Sequence, residues 1–349
     1  MGLNLCLYLD ILQMNKKRER LIKDWLTIVL RSDQFEINYL AGDASFRRYA
    51  RVIYDNKTFM LMDAPPDKED CVPFVSVAEF LYKNNVRVPI IEAKDLENGL
   101  LLLEDFGDVV LAQQLNASTV DQYYQQCFEQ LIQLQASSTL NVIPNYSYEK
   151  LVAEMNLFVE WFLPSLEIMP TEQQIQDITN TFHLLASNAI AQPQVFVHRD
   201  FHSRNLMKLA TGKELGVIDF QDAVVGADTY DLMSLIRDAY VQWPQAQVEM
   251  WITQFYNLLP RNTQAGRSLE QFHKDANFMS LQRHIKILGI FVRLFKRDGK
   301  QGYLKDLPRV MWYVLNESQK YPELEALHQF LKNQVMPKFD QVYGVYLEV

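Results

Sequence analysis

The chain has 349 residues, 48% of them hydrophobic and 22% charged, the balance of a globular protein large enough for two lobes sharing a cleft. Its formal charge of −9 excludes the basic surface that an obligatory nucleic-acid partner needs. The scattered cysteines Cys6, Cys71 and Cys127 form neither a disulfide framework nor a metal spacing, and the longest apolar runs fall short of the ~18 residues of a membrane span. A cytoplasmic monomer with no nucleic-acid or membrane partner is expected.

The apolar start Gly2–Leu12 contains Asp10 and lacks a basic leader, so it reads as an extension rather than a signal. Residues 15–31 then place Leu21, Ile22, Trp25, Leu26, Ile28 and Val29 at helical spacing. From Phe35 the period changes to two, and three short strands fit residues 35–63, joined by turns such as Ala41-Gly42-Asp43-Ala44-Ser45. Val72–Asn84 reads as a helix. Ile90–Ala93 and Gly99–Leu103 read as two more strands, the second running into Glu104-Asp105-Phe106-Gly107. Beyond residue 105 the pattern is helical, over 122–136, 151–162, 173–191, 230–241, 248–259, 269–295 and 324–335. Two apolar strands, 194–197 and 215–218, interrupt it as an embedded hairpin around polar residues.

Those polar residues carry the chemistry. His198-Arg199-Asp200-Phe201-His202-Ser203-Arg204-Asn205 has the H-R-D-x-x-x-x-N form of a kinase catalytic loop, and the following strand ends in Asp219-Phe220. A carboxylate on a tight loop, Asp200, can orient a hydroxyl and accept its proton as the oxygen attacks phosphorus. Asn205 can turn an amide oxygen toward a cation, and Asp219 supplies the ionised oxygen that Mg²⁺ prefers. His198 is expected to brace the loop, whereas His202 can face substrate or phosphate.

With these residues in place, the chain resembles the aminoglycoside phosphotransferase/choline kinase group, small-molecule relatives of protein kinases, from about residue 33 to 310. The match is closer to the anomeric sugar kinases of peptidoglycan recycling. It rests on Gly42–Tyr49, Leu61–Pro66, Leu102–Asp108, His198–Met207, Val217–Ala223, Thr229–Leu232 and Leu281–His284. The resemblance implies an α+β, protein-kinase-like two-lobed fold, with a small five-stranded antiparallel lobe carrying one helix and a larger helical lobe. Residues 1–32 would be an extension and helix, 33–104 the nucleotide-binding lobe, and 105–349 the catalytic and substrate-binding lobe. It implies ATP with Mg²⁺, and phosphorylation of N-acetylmuramate and N-acetylglucosamine at the anomeric hydroxyl.

The strand Phe59-Met60-Leu61-Met62 lacks the lysine that such folds present to phosphates, so Arg47, Arg48 and Ser45 are the candidates for that task. Glu79 has no evident lysine partner. Glu104, Asp105 and Phe106 are the candidates for holding the adenine edge. His202, Gln221, Arg237, Arg283 and Glu160, with Trp161, are the candidates for the sugar, an arginine pairing with the lactyl carboxylate of N-acetylmuramate. Kinases for aminoglycosides, choline or another sugar remain open, because Asp222, Asp228 and Asp238 offer carboxylates for a cationic acceptor. So does a nucleotide-binding pseudokinase acting as an interaction module.

Overall fold

The period-two segments fold as one antiparallel sheet of five strands: β1 (Glu36–Tyr39), β2 (Arg48–Tyr54), β3 (Lys57–Asp63), β4 (Ile91–Asp95) and β5 (Leu100–Glu104), in the order β1-β2-β3-β5-β4. The computed structural model describes residues 2–40, 47–137, 143–210, 214–261 and 264–345, with side chains from residue 16 onward. The turn Gly42–Ser45, with its expected phosphate ligand Ser45, lies outside them.

Two compact units make up the chain: Met1–Glu79 with Val88–Gly107, and Phe80–Arg87 with Asp108–Val349. In the first, the second half of helix α1 (Gly2–Leu30) packs into the core. Its Ile22 and Leu26 are fully buried against Ala50, Val52, Leu61, Leu100 and Leu102. Burying such side chains contributes about 1.5–3 kcal/mol each. The helix is also tied by charge. Arg18 Nε and Nη2 donate to Asp63 at 2.9 and 2.6 Å, and Nη2 also donates to the Asn98 carbonyl at 2.7 Å. Asp63, fully buried, faces Arg48 across the β2–β3 register and accepts from its Nε at 2.8 Å. A buried carboxylate is tolerable only with such partners.

Helix α2 (Val72–Lys83) follows, but its end and the next residues, Phe80–Arg87, belong to the second unit and not to the first. Three contacts explain this. Phe80 stacks on Phe196 at 5.7 Å, the Asn84 carbonyl accepts from Gln133 at 2.8 Å, and the Arg87 carbonyl accepts from the Val217 amide at 2.8 Å.

The second unit has helices α3 (Val120–Gln135), α4 (Tyr148–Leu157), α5 (Glu172–Ala191), α6 (Tyr230–Ile236), α7 (Gln245–Leu258), α8 (Leu269–Asp298), α9 (Leu307–Ser318), α10 (Glu325–Phe330) and α11 (Met336–Tyr343). Helix α9 escapes the sequence reading. So do two strands. β6 (Gln194–Val197) and β8 (Leu215–Val217) do not form a hairpin with each other; β6 pairs with β9 (Val224–Ala227), and β8 pairs with β7 (Leu206–Lys208). Strands of three and four residues, set among loop residues, are too short for alternation to reveal them. Helix α6 stops at Ile236, well short of residue 241, because Arg237 leaves helical geometry at φ −121° and ψ 55°.

Helix α8 runs through the main apolar cluster, with Phe278, Leu281, Ile285 and Leu288 packed among Met155, Phe158, Phe182, Val310 and Val314. Among the described residues no helix is long and apolar enough to cross a membrane. At Gly289 the α8 backbone meets the chain so closely that an added Cβ would lie 2.4 Å from the Leu157 carbonyl carbon. Gly289→Ala is therefore expected to lower unfolding free energy by about 1–3 kcal/mol, the ordinary cost of overpacking. Urea unfolding of the variant measures it, and an unchanged midpoint would refute the close approach.

Candidate active site

The loop after β6 is held by a carboxylate from another element. Asp231, on the first turn of α6, accepts the His198 amide at 2.6 Å on one oxygen and the Arg199 amide at 3.0 Å on the other. The backbone between them is left-handed at Arg199, φ 76°, a conformation that costs a residue with a Cβ about 1–3 kcal/mol. Two charge-assisted bonds to one acceptor are enough to hold it. Burial pushes the Asp231 carboxyl up to about 6 despite the nearby His198 and these amides.

His198 continues the bracing, as its place in the motif suggests. The Asp200 amide donates to its Nδ1 at 3.3 Å, so the proton resides on Nε2, which donates to the Ile218 carbonyl at 3.0 Å. Arg199 donates to Glu154 at 2.7 Å and lies over the Tyr146 ring at 5.2 Å. Phe201 and Phe220, both fully buried, anchor the two sides of the loop.

Asn205 joins the chemistry-bearing residues. Its Nδ2 donates to the Asp200 carbonyl at 3.0 Å and reaches Asp219 Oδ2 at 3.4 Å. Both contacts use the amide nitrogen, which turns the amide oxygen elsewhere. Asp219 is exposed and left-handed, φ 64°, and its other oxygen accepts from Gln221 Nε2 at 2.8 Å. The Asp219 carboxylate suits Mg²⁺, which takes few protein oxygens and keeps waters, whereas the expected Asn205 oxygen faces away from it and would have to turn over to share the ion.

A cavity of about 100 Å³ lies beside Asp200. It is lined by Asp200 and His202 from the loop, Tyr230 and Ser234 from α6, Asp238 and Tyr240 beyond it, and Arg283, Lys286, Ile287 and Ile290 from α8. Burial alone would raise the Asp200 carboxyl, but positive charge, first that of Lys286, holds it below the ordinary range. It is thus ionised and able to accept a proton. Lys286 itself pairs with Glu154 at 3.2 Å and donates to the Tyr230 hydroxyl at 3.0 Å.

The expected sugar-site residues divide. Arg283 and His202 line the cavity, and His202 packs edge-on against Tyr240 at 5.2 Å with its Nδ1 buried and unbonded. Gln221 sits on Asp219. Arg237 does not line the cavity: it is buried in an interhelical network with Glu317 at 3.0 Å, Asn277 at 2.8 Å and Glu249 at 3.4 Å. Glu160 is exposed in the π turn Phe158–Phe162, and Trp161 packs on the apolar cluster. The carboxylates left open for a cationic acceptor are largely engaged. Asp238 accepts the Ser203 amide at 3.0 Å and the Tyr240 amide at 2.9 Å, and Asp228 is clasped by Arg267. Lys286, Glu154 and Asp231 were not singled out for a role. The cue for the first was two cations three residues apart, Arg283 and Lys286, on a helical face otherwise carrying Ile287 and Ile290.

Within the first unit, Arg48 is engaged by Asp63 and by Glu19 at 3.1 Å, and Arg47 contacts Glu69 at 3.3 Å. The Asp105 carboxylate accepts from Arg51 at 2.6 Å and from the Gly107 amide at 2.9 Å, tying β2 to the segment after β5. Glu104 ends β5, its amide donating to the Ile90 carbonyl at 2.8 Å, and Phe106 follows half-buried. Glu79 does have a lysine partner, Lys94 at 2.9 Å, but both side chains are about half exposed, at 50% and 45%, where such pairs contribute little.

The Asp231 brace has a pH signature. Its folded value of about 6 exceeds the ordinary 3.8, so the stability it contributes is complete below 3.8 and lost as pH rises through about 6. Unfolding free energies of the wild type and Asp231→Asn, measured from pH 4.5 to 7, should show the wild type losing ground to the variant by on the order of 2 kcal/mol. A constant difference across that window would contradict the assignment.

Residues 36–267 match the family described as "Phosphotransferase enzyme family". An N-acetylmuramate/N-acetylglucosamine kinase of Pseudomonas putida is 39% identical over 297 residues, covering 83% of this chain and 86% of that protein. One from Neisseria meningitidis is 35% identical, covering 90% and 95%. Among solved structures, an ethanolamine kinase of Plasmodium vivax has a TM-score of 0.61 at 12% identity, covering 81% of this chain and 82% of that one. The choline kinase LicA of Streptococcus pneumoniae has 0.59 at 14%, covering 85% and 99%. At those identities the structures speak for the protein-kinase-like fold alone. A braced H-R-D loop, an Asn–Asp pair beside it and a family match over most of the chain lead to one conclusion: the protein belongs to the APH phosphotransferase family.

Proposed function

We propose that the chain phosphorylates N-acetylmuramate and N-acetylglucosamine at the anomeric hydroxyl, using ATP, with Mg²⁺ held by Asn205 and Asp219. The observation that carries this reading is the Asn205 amide nitrogen, which bonds the Asp200 carbonyl and reaches the Asp219 carboxylate, a juxtaposition that supports a proton acceptor beside a cation ligand once the amide turns its oxygen to the ion.

In the proposed step the sugar hydroxyl oxygen bonds to the γ-phosphorus, the bond from that phosphorus to the ADP oxygen breaks, and the proton passes to Asp200. Asp200 orients the hydroxyl, and its ionised state suits the task. When bound, Mg²⁺ would neutralise charge on the transferring phosphates. The Glu104–Phe106 backbone is proposed to hold the adenine edge, and Arg47 and Ser45 to reach phosphate; Arg48 is less available because Asp63 and Glu19 already take its guanidinium.

Supporting the choice of acceptor are the names of the relatives and the engagement of Asp228 and Asp238, which leaves no obvious carboxylate cage for an aminoglycoside or choline. Incubation with ATP, Mg²⁺ and each of N-acetylmuramate, N-acetylglucosamine, kanamycin and choline, followed by mass spectrometry, tests it. The two amino sugars should gain an acid-labile phosphate; transfer confined to kanamycin or choline would overturn the reading. Asp200→Asn should lose about 10²–10⁴-fold in kcat while still binding ATP with Mg²⁺. Unimpaired turnover would remove Asp200 from the mechanism.

A further inference from the structure

The cavity beside Asp200 holds a cation that the fold leaves unsatisfied. Arg283 is only 4% exposed, yet it makes no hydrogen bond or ion pair to any described residue, and its Nε and Nη1 are buried without a partner. Its guanidinium carbon lies over the face of Tyr230 at 5.2 Å, and Asp231 lies near enough to be felt through its charge. Other cations of this unit are answered directly: buried Lys286 by Glu154, buried Arg237 by Glu317, and part-buried Arg267 by Asp228. Leaving a guanidinium buried without acceptors is costly, and an acceptor in the cavity would relieve that cost.

We infer that Arg283 is the specificity residue of the acceptor site and binds a carboxylate carried by the sugar. The inference rests on the amino-sugar reading above. N-acetylmuramate differs from N-acetylglucosamine by a lactyl ether that ends in a carboxylate, and a planar guanidinium matches that group in charge and shape. Lys286, one turn further along α8, is already neutralised by Glu154 and cannot supply the same attraction as fully. At about 100 Å³ the cavity has room for several waters, and so for a carboxylate and its short carbon stem. The hydroxyl acceptor Asp200 lines the same cavity, so acid recognition and phosphoryl transfer address one bound sugar.

The test compares N-acetylmuramate, its methyl ester and N-acetylglucosamine on the wild type, Arg283→Met and Arg283→Lys. In the wild type, kcat/KM for the acid should exceed that for the ester by about 10- to 100-fold, the range of a hydrogen bond to a charged group. Arg283→Met should collapse that ratio, chiefly through KM, and Arg283→Lys should restore part of it. Equal losses of Arg283→Met on acid and ester would make Arg283 a structural support for Tyr230 and Asp231 and overturn the inference. So would a wild type indifferent to esterification, a result that stands even if the Met variant fails to fold. Calorimetric titration with N-acetylmuramate separates this from the functional reading. Wild-type binding that esterification or Arg283→Met abolishes supports carboxylate recognition even without turnover, and absence of binding overturns it.

Discussion

One buried carboxylate sets the geometry on which the rest of the site depends. The backbone turns through a left-handed residue at Arg199 to bring Asp200 out beside the cavity, and that turn is unfavourable by itself. Asp231 makes it stable by taking the two successive amide hydrogens that lead into the turn. The orientation of Asp200, the hydrogen bonds of both His198 ring nitrogens and the reach of Asn205 to two neighbours all presuppose this loop shape. The carboxylate is placed where ionisation is disfavoured, so part of the stability of the unit is given up to keep the loop in a reactive form.

Within each unit, buried charge is sorted with economy. Arg18 and Arg48 converge on Asp63, Arg51 ties Asp105, and Arg237 joins Glu317, which His284 and Ser280 also contact. These pairs fix how strands and helices meet within each unit. Burial raises the Glu317 carboxyl, yet His284 and Arg237 bring it below its ordinary range, which marks a pair whose partners offset desolvation. A guanidinium outside such pairing, in a cavity beside a proton acceptor, is therefore better read as a device for recognition than as part of the framework.

Much of this was legible in the chain, and the exceptions have physical causes. The His198–Asn205 loop and Asp219 are local: their spacing is enough to bring Asp200, Asn205 and Asp219 together. In the five-stranded sheet, β2 shows the alternation best, with Ala50 and Val52 buried between half-exposed neighbours. By contrast, β7 and β9 are too short to alternate, and α9 carried no signal strong enough to separate it from its surroundings. The fate of Arg237 was settled by Glu317, 80 positions away, and that of Arg283 by the absence of any such partner among the described residues. Neither a distant partner nor its absence can be read from spacing. Asp231 stood in plain view within Thr229–Leu232, but its role depends on amides 32 and 33 residues earlier in the chain.

The tight spot at Gly289 has a bearing on chemistry as well as on packing. It lies on the same helix as Arg283 and Lys286, and the residue it abuts, Leu157, is one turn from Glu154, the counter-ion of Lys286. A helix that can seat at only one depth there also delivers its two cations at only one depth. The missing side chain thus works as an end-stop, setting how deep Arg283 and Lys286 stand beside the cavity. A bulkier residue at this point would have to lift the helix, and both cations with it.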